Sequence, residues 1–194
     1  MGAFFSSLGR TITAGVVLLI VIVLAVGALT EGGMRGGDLF IVRWLHVMAG
    51  VMWIGLLWYF NFVQTPSMPK IPDEQKPAIG KVIAPAALFW FRWSALATVI
   101  LGLLLAYMNH YLVQALTLTK GVHAIGIGMW LGLIMAFNVW FIIWPNQKKA
   151  LGLVEADDAT KASAAKTAMV ASRLNTLLSI PMLYAMASFQ TLPR

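Results

Sequence analysis

Long apolar runs, separated by short polar or glycine- and proline-rich stretches, dominate this chain of 194 residues. An α-helix needs about 20 apolar residues to cross the hydrocarbon of a bilayer. Five runs approach or exceed that length and predict five spanning helices, at residues 11–29, 39–63, 88–108, 122–144 and 169–188. The pattern therefore predicts an all-α fold, an integral membrane helical bundle.

The composition agrees with a membrane protein. Hydrophobic residues make up 60% of the chain and charged residues 11%, whereas soluble domains are about 45 to 50% apolar. We expect a single membrane domain over residues 1–194, in which residues 1–38 form an extra N-terminal helix. Cysteine is absent, which excludes disulfides, thiolate metal sites and covalent c-type haem attachment.

The net charge of +7 is unevenly distributed over the predicted loops. One side would carry Arg10, Lys70, Lys76, Lys81, Arg92, Lys148, Lys149, Lys161, Lys166 and Arg173. The other side would carry only Arg35, Arg43, Lys120 and Arg194. The positive-inside rule predicts a cytoplasmic N-terminus and a periplasmic C-terminus. The basic surplus therefore indicates orientation in a lipid bilayer, and we expect no nucleic-acid partner.

A repeat lies within the apolar part of the chain. Residues 43–61 and 120–138 both read basic-x-x-His-x5-Met-Trp-x-Gly-Leu-x3-Phe-Asn. The similarity continues into the next span, where Arg92-Trp93 corresponds to Arg173-Leu174. The repeating unit is therefore a helical hairpin, formed by helices 2 and 3 (residues 39–108) and again by helices 4 and 5 (residues 120–190).

The repeat places one histidine, His46 or His123, at the same position of each hairpin. Two imidazoles at equal depth are the ligand set of a membrane-embedded b-type haem, haem b. Arg43 and Lys120, one turn before the histidines, would bind the haem propionates by charge-assisted hydrogen bonds. We therefore predict a haem whose iron is bound by His46 and His123. The sequence identifies no catalytic residue.

Glycine and tryptophan share a helical stripe with each histidine. Gly50 and Trp53 follow His46 by four and seven residues, and Gly126 and Trp130 occupy the corresponding stripe after His123. Glycine would leave room for a flat macrocycle, and the indole would close the pocket.

Structural explanations exist for the same residues. Glycine often serves helix packing, tryptophan often marks the membrane interface, and a basic residue at a helix end often snorkels. The two histidines could instead form structural hydrogen bonds. The repeated Met52 and Met129 are better explained as core residues than as ligands, and the repeated Asn61 and Asn138 as side chains that bond across helices or cap them.

Residues 43–55, together with Phe91-Arg92-Trp93 and residues 138–147, resemble the membrane domain of the bacterial urate oxidase (urate hydroxylase) family. A looser similarity links the chain to haem-binding membrane protoporphyrinogen oxidases and copper-resistance membrane proteins. The resemblance covers the chain from about residue 39 onward. It implies an oxidoreductase of the bacterial inner membrane.

Members of that family carry a cytochrome c domain after the membrane part, which we expect this chain to lack. The resemblance therefore implies a separate electron acceptor, either an external cytochrome or a larger respiratory complex. The leading prediction is electron transfer or haem-linked oxidation near the outer face of the membrane. Two alternatives are a urate hydroxylase-like oxidoreductase that uses a separate cytochrome, and a non-redox accessory subunit of a membrane complex.

Overall fold

The computed structural model describes residues 6–29 and 37–191, and every regular element within these ranges is a helix. The all-α prediction is therefore confirmed. The chain divides into two compact units between Phe40 and Ile41. Arg35 and Arg194, two of the four basic residues assigned to the outer side, lie outside the described residues.

Six helices make up the described chain. They are α1 (Leu8–Leu29), α2 (Gly37–Lys70), α3 (Lys76–Met108), α4 (Leu112–Leu116), α5 (His123–Ala150) and α6 (Asp158–Thr191). Four of them, α1, α2, α3 and α5, are long and apolar enough to cross a membrane. The apolar runs therefore predicted these four helices, although α2 and α3 extend well into the loop expected at residues 66–85.

The predicted count of five spanning helices is not confirmed. The fifth prediction, residues 169–188, lies inside α6, which is not among the four helices of sufficient length and apolar character. The hydropathy of this segment is lowered by the exposed Arg173 and by polar side chains that are buried in the bundle: Asn175 and Ser179 are fully buried, and Ser188 is 7% exposed. A helix that meets its neighbours through polar groups has a lower mean hydropathy than one that faces lipid.

The second unit is held together mainly by the packing of α5 against α6, with α2 and α3 against the same core. Its largest buried side chains include Trp53 and Leu57 of α2, Phe91 of α3 and Met135 of α5. Between helices that cross a membrane, such side chains stabilise the bundle by van der Waals packing rather than by removal from water. Trp53, Ile54 and Met182 of this core also line the cavity described below.

Three of the long helices contain a π-helical segment. The segments are Tyr59–Gln64 in α2, Ile79–Ile83 in α3 and Asn138–Ile143 in α5. Each ends two residues before a proline, respectively Pro66, Pro85 and Pro145. Proline lacks an N–H and its ring clashes with the carbonyl four residues earlier, so the wider turn relieves a local conflict. When the two copies of the repeat are aligned, the π-helical segments of α2 and α5 overlap. The two copies therefore resemble each other in helix geometry as well as in sequence.

Amide side chains at the matched repeat positions join α2 and α5 to α6. Asn138 donates from Nδ2 to Asn175 Oδ1 at 2.9 Å, and Asn175 donates from its own Nδ2 to the carbonyl oxygen of Met135 at 2.9 Å. Asn61 donates from Nδ2 to Ser172 Oγ at 2.8 Å. The repeated asparagines therefore bond across helices, one of the two roles that the sequence suggested.

Replacement of Asn175 by alanine is expected to destabilise the bundle by about 1 to 3 kcal/mol, because it leaves the buried side-chain amide of Asn138 without its partner and removes the bond from Asn175 to the Met135 carbonyl oxygen. The matched control is Asn146→Ala, since Asn146 bonds only to the carbonyl oxygen of Ile142 in its own helix. Thermal unfolding in detergent micelles measures both variants. Equal losses of stability would contradict a special role for the buried amide pair.

The start of α6 is capped by an acidic side chain. The backbone N–H of Thr160 donates to Asp157 Oδ1 at 2.7 Å, and the Thr160 hydroxyl donates to Oδ2 at 3.1 Å. These bonds, the backbone bond first, lower the pKa of the Asp157 carboxyl. Because the pKa of Asp157 is lower in the folded protein than in the unfolded chain, the ionised carboxylate stabilises the fold at neutral pH. This contribution is lost as the pH falls and the carboxylate is protonated.

Candidate functional site

An apolar cavity of about 670 Å³ lies among α2, α3, α5 and α6. This volume falls in the range of about 300 to 1,000 Å³ that is usual for small-molecule and cofactor pockets. Most of its lining is aliphatic, aromatic or glycine, with methionine side chains on α5 and α6. Five side chains add polar groups from α2 and α3, namely Arg43, His46, Trp53, Trp58 and Thr98. The cavity thus combines a large apolar volume with a few polar groups.

The imidazole of His46 is held in one orientation. Its Nδ1 lies 2.9 Å from the backbone carbonyl oxygen of Thr98 on α3. A carbonyl oxygen only accepts hydrogen bonds, so Nδ1 carries the proton in this contact. In the neutral ring Nε2 then keeps its lone pair, which is the form in which histidine binds a metal.

Gly102 makes the room that this imidazole occupies. A Cβ atom at Gly102 would lie 2.8 Å from His46 Cε1 and 3.2 Å from Nδ1, too close for an unstrained contact. At Gly50, in contrast, an added Cβ would meet the methyl group of Thr98 at an ordinary 3.8 Å. Gly102 on α3 therefore accommodates the imidazole ring of His46, whereas the room for a macrocycle at Gly50 stays a prediction.

Sequence reasoning missed Thr98 and Gly102 because neither belongs to the repeated histidine stripe. A usable signal was present in the predicted hairpin. His46 lies about two turns after the start of the second predicted span, and Gly102 lies about two turns before the end of the third. Antiparallel helices bring such positions to the same depth, where a glycine opposite a histidine indicates close packing of the ring.

Two buried donors on the cavity wall have no partner. Arg43 Nε and Trp53 Nε1 make no hydrogen bond with any of the residues that the structure describes, and the Trp53 side chain is only 1% exposed. Most buried polar atoms in proteins are satisfied, and an exception calls for an explanation such as a bound group. An oxygen acceptor at one end of an apolar ligand would satisfy Arg43, whereas Trp53, ten residues further along α2 and so about 15 Å away along the helix axis, would need a separate acceptor.

The eight predicted cofactor residues divide into two sets of four. The four predicted in the first hairpin all line the cavity, namely Arg43, His46, Gly50 and Trp53. The four predicted in the second hairpin do not, namely Lys120, His123, Gly126 and Trp130. Lys120 and His123 are exposed. The structure therefore brings together the predicted site of the first hairpin and leaves that of the second outside it.

The short helix α4 explains the difference between the two sets. It covers the face of α5 where Gly126 lies, and an added Cβ at Gly126 would overlap the carbonyl oxygen of Ala115, a fully buried residue of α4. Trp130 donates from Nε1 to the carbonyl oxygen of Leu116 at 3.0 Å. Both residues thus pack α4 against α5, which agrees with the structural explanation given for glycine, whereas the explanation given for tryptophan was the membrane interface.

Replacement of Gly126 by alanine is expected to destabilise the protein by about 1 to 3 kcal/mol or more, because backbone would have to move to admit the methyl group. Gly132→Ala is the control, since nothing lies within 4 Å of a Cβ added there. The two unfolding temperatures in detergent provide the test. A Gly126→Ala variant as stable as Gly132→Ala would exclude close packing of α4 on α5.

A family model described as urate oxidase N-terminal matches residues 117–190. The match runs from just before α5 almost to the end of α6 and covers less than half of the chain. It includes residues 138–147 of the resemblance but not the His46 hairpin. No curated protein and no solved structure matches the chain. The comparison thus gives a partial link to the urate oxidase family, confined to the second hairpin.

Proposed function

We propose that this protein is a membrane-embedded redox protein that binds one b-type haem in the cavity among α2, α3, α5 and α6, with His46 as a ligand of the iron. The observation that carries the proposal is the His46 imidazole, which donates from Nδ1 to the Thr98 carbonyl oxygen and lines an apolar cavity of cofactor size. Histidines that bind metals characteristically donate their other ring N–H to a carbonyl or carboxylate, which fixes the tautomer.

The unpartnered donors fit the same group. A haem carries two propionates on one edge of an apolar ring, and Arg43 Nε is a buried donor on the cavity wall one helical turn from His46. A charge-assisted hydrogen bond to a propionate would satisfy Arg43. Trp53 Nε1, also unpartnered, would donate to a polar atom of the ligand or of a reactant beside it.

Each residue of the proposed site has a defined task. His46 would bind the haem iron, and Thr98 and Gly102 would fix the orientation of the His46 ring. Arg43 would neutralise the charge of a haem propionate. The apolar wall excludes water, which strengthens these polar contacts. Bound haem would supply one-electron redox chemistry, whose potential depends on its ligands and on burial. His123 and Lys120 are exposed, so the proposal assigns them no contact with the haem.

The proposed location is the bacterial inner membrane, with α1, α2, α3 and α5 as spanning helices and α6 as a fifth. The uneven basic residues favour a cytoplasmic N-terminus. In that orientation His46 would lie toward the outer side, where an external cytochrome or a respiratory complex would accept electrons.

Titration of the detergent-purified full chain with haemin tests the proposal. We expect a shifted Soret band that saturates at one haem per protein. The absence of saturable binding by a folded protein would exclude the haem site and favour the accessory-subunit alternative, for which co-purification with a membrane complex is the next measurement.

Oxidation of urate or a similar planar purine is a second candidate, favoured by the family match over residues 117–190. A purine with carbonyl oxygens would be an acceptor for the unpartnered Trp53 Nε1. Anaerobic addition of urate to the haem-loaded protein should then reduce the haem. Failure of urate to reduce it, with reduction by dithionite intact, would remove urate as substrate and leave the electron-transfer function standing.

A further inference from the structure

Two cations from different helices meet at the indole ring of Trp144. The guanidinium carbon of Arg92 on α3 lies 3.9 Å from the ring centroid, and Nζ of Lys148 on α5 lies 5.7 Å from it. Arg92 also lies 5.4 Å from the ring centroid of Phe89. All three distances are within the range of about 6 Å at which cations are attracted to aromatic faces. Arg92 thus has a defined place between α3 and α5.

No carboxylate neutralises these two cations. The ion pairs within the described residues are Lys76 with Asp73 and Lys161 with Asp158, so neither Arg92 nor Lys148 has an acidic partner there. Two like charges at one ring repel each other, and an anion between them would remove that repulsion. The guanidinium of Arg92 makes no hydrogen bond that would occupy its N–H donors among the described residues beyond this ring contact, and arginine can combine contact with a ring and hydrogen bonds to an anion.

We propose that Arg92 and Lys148 bind the phosphate of an anionic phospholipid at the edge of α3 and α5. The planar fork of arginine suits bidentate contact with phosphate oxygens, and lysine adds a point charge. The pair provides the two kinds of cationic donor that phosphate sites in proteins commonly use.

Exposed aromatic rings beside the cations favour a lipid over a free phosphate ion. Phe89, Trp90 and Trp93 of α3 are 45%, 57% and 46% exposed. Trp93 also packs edge-on against Trp140 of α5, with ring centroids 5.4 Å apart. Tryptophan and other aromatics collect where headgroups meet acyl chains. This inference rests on the membrane location proposed above and is independent of the haem.

The repeat provides a matched control for Arg92. Arg173 occupies the corresponding position of the second hairpin, is exposed, and makes no ring contact or ion pair among the described residues. Arg173→Gln therefore removes the same charge as Arg92→Gln but leaves the proposed site intact. Arg92→Lys keeps the charge and removes the fork, and Lys148→Gln tests the second cation without touching Arg92.

Native mass spectrometry of the full chain in detergent, titrated with phosphatidylglycerol or phosphatidylcholine, tests the site. We expect one phosphatidylglycerol to bind more tightly than phosphatidylcholine. Arg92→Gln should weaken that binding by about tenfold or more, Arg92→Lys and Lys148→Gln should weaken it less, and Arg173→Gln should leave it unchanged.

Three results would overturn the proposal. Equal loss of binding in Arg173→Gln would indicate general attraction to basic residues. Equal binding of the two lipids would exclude anion selectivity. Displacement of phosphatidylglycerol by inorganic phosphate at comparable concentration would identify a phosphate-ion site that makes no use of the acyl chains. If the protein does not bind haemin, the lipid measurements still test this proposal, because they do not depend on the haem.

Discussion

His46→Ala is expected to lower the affinity for haem by about 100-fold or more, because it removes the proposed ligand of the iron. Loss of a group that only supports a metal ligand usually lowers the affinity by about 10- to 100-fold. His123→Ala is expected to leave the affinity nearly unchanged. The reason is that His46 lines the cavity and is fixed by the Thr98 carbonyl oxygen, whereas His123 is exposed and outside the cavity.

Haemin titration of both variants measures these affinities, with thermal unfolding as a check that each variant is folded. The repeat makes the pair a matched control, because both histidines occupy the same position in their hairpins. Equal loss of haem in the two variants would contradict the single-histidine site and restore the bis-histidine arrangement expected from the sequence.

Gly102→Ala is expected to weaken haem binding by about 10- to 100-fold, the range found for groups that orient a metal ligand. The added Cβ would lie 2.8 Å from His46 Cε1, so the ring would have to leave its hydrogen bond with the Thr98 carbonyl oxygen. The effect should appear in the haem spectrum as altered ligation while the protein remains folded.

Gly132→Ala is the matched control for Gly102→Ala. Gly132 also lines the cavity, but nothing lies within 4 Å of a Cβ added there. Both variants add one methyl group to the cavity wall, and only one of them displaces His46. Similar spectra and affinities for the two variants would show that the position of the His46 ring does not control binding.

The apolar runs were sufficient to predict the helices because chain length and hydropathy determine which segments can cross a bilayer. The fifth run is not confirmed as a span, because α6 carries the exposed Arg173 and the buried Asn175 and Ser179, which lower its hydropathy. The prolines of α2 and α5 marked the ends of helices in the sequence reading. In the structure the helices continue past Pro66 and Pro145, because a π-helical segment before each proline relieves the steric conflict.

The cavity residues of the first hairpin were predictable from the sequence, whereas the surroundings of the corresponding residues in the second hairpin were not. Arg43, His46, Gly50 and Trp53 share a helical stripe, and helix periodicity alone brings them to one wall. Gly126 and Trp130 share the same local pattern, but α4 occupies their surface. A repeat specifies equivalent positions within each hairpin, whereas the surroundings of those positions depend on contacts between helices that the repeat does not encode.

The most direct test of the central proposal is imidazole rescue of His46→Gly, followed by optical spectra of the haem-loaded protein. We expect a low-spin or histidine-ligated spectrum in the wild type, its loss in His46→Gly, and its recovery when free imidazole enters the space left by the side chain. A His46→Gly spectrum identical to that of the wild type, or a folded wild type that takes up no haem, would contradict the proposal.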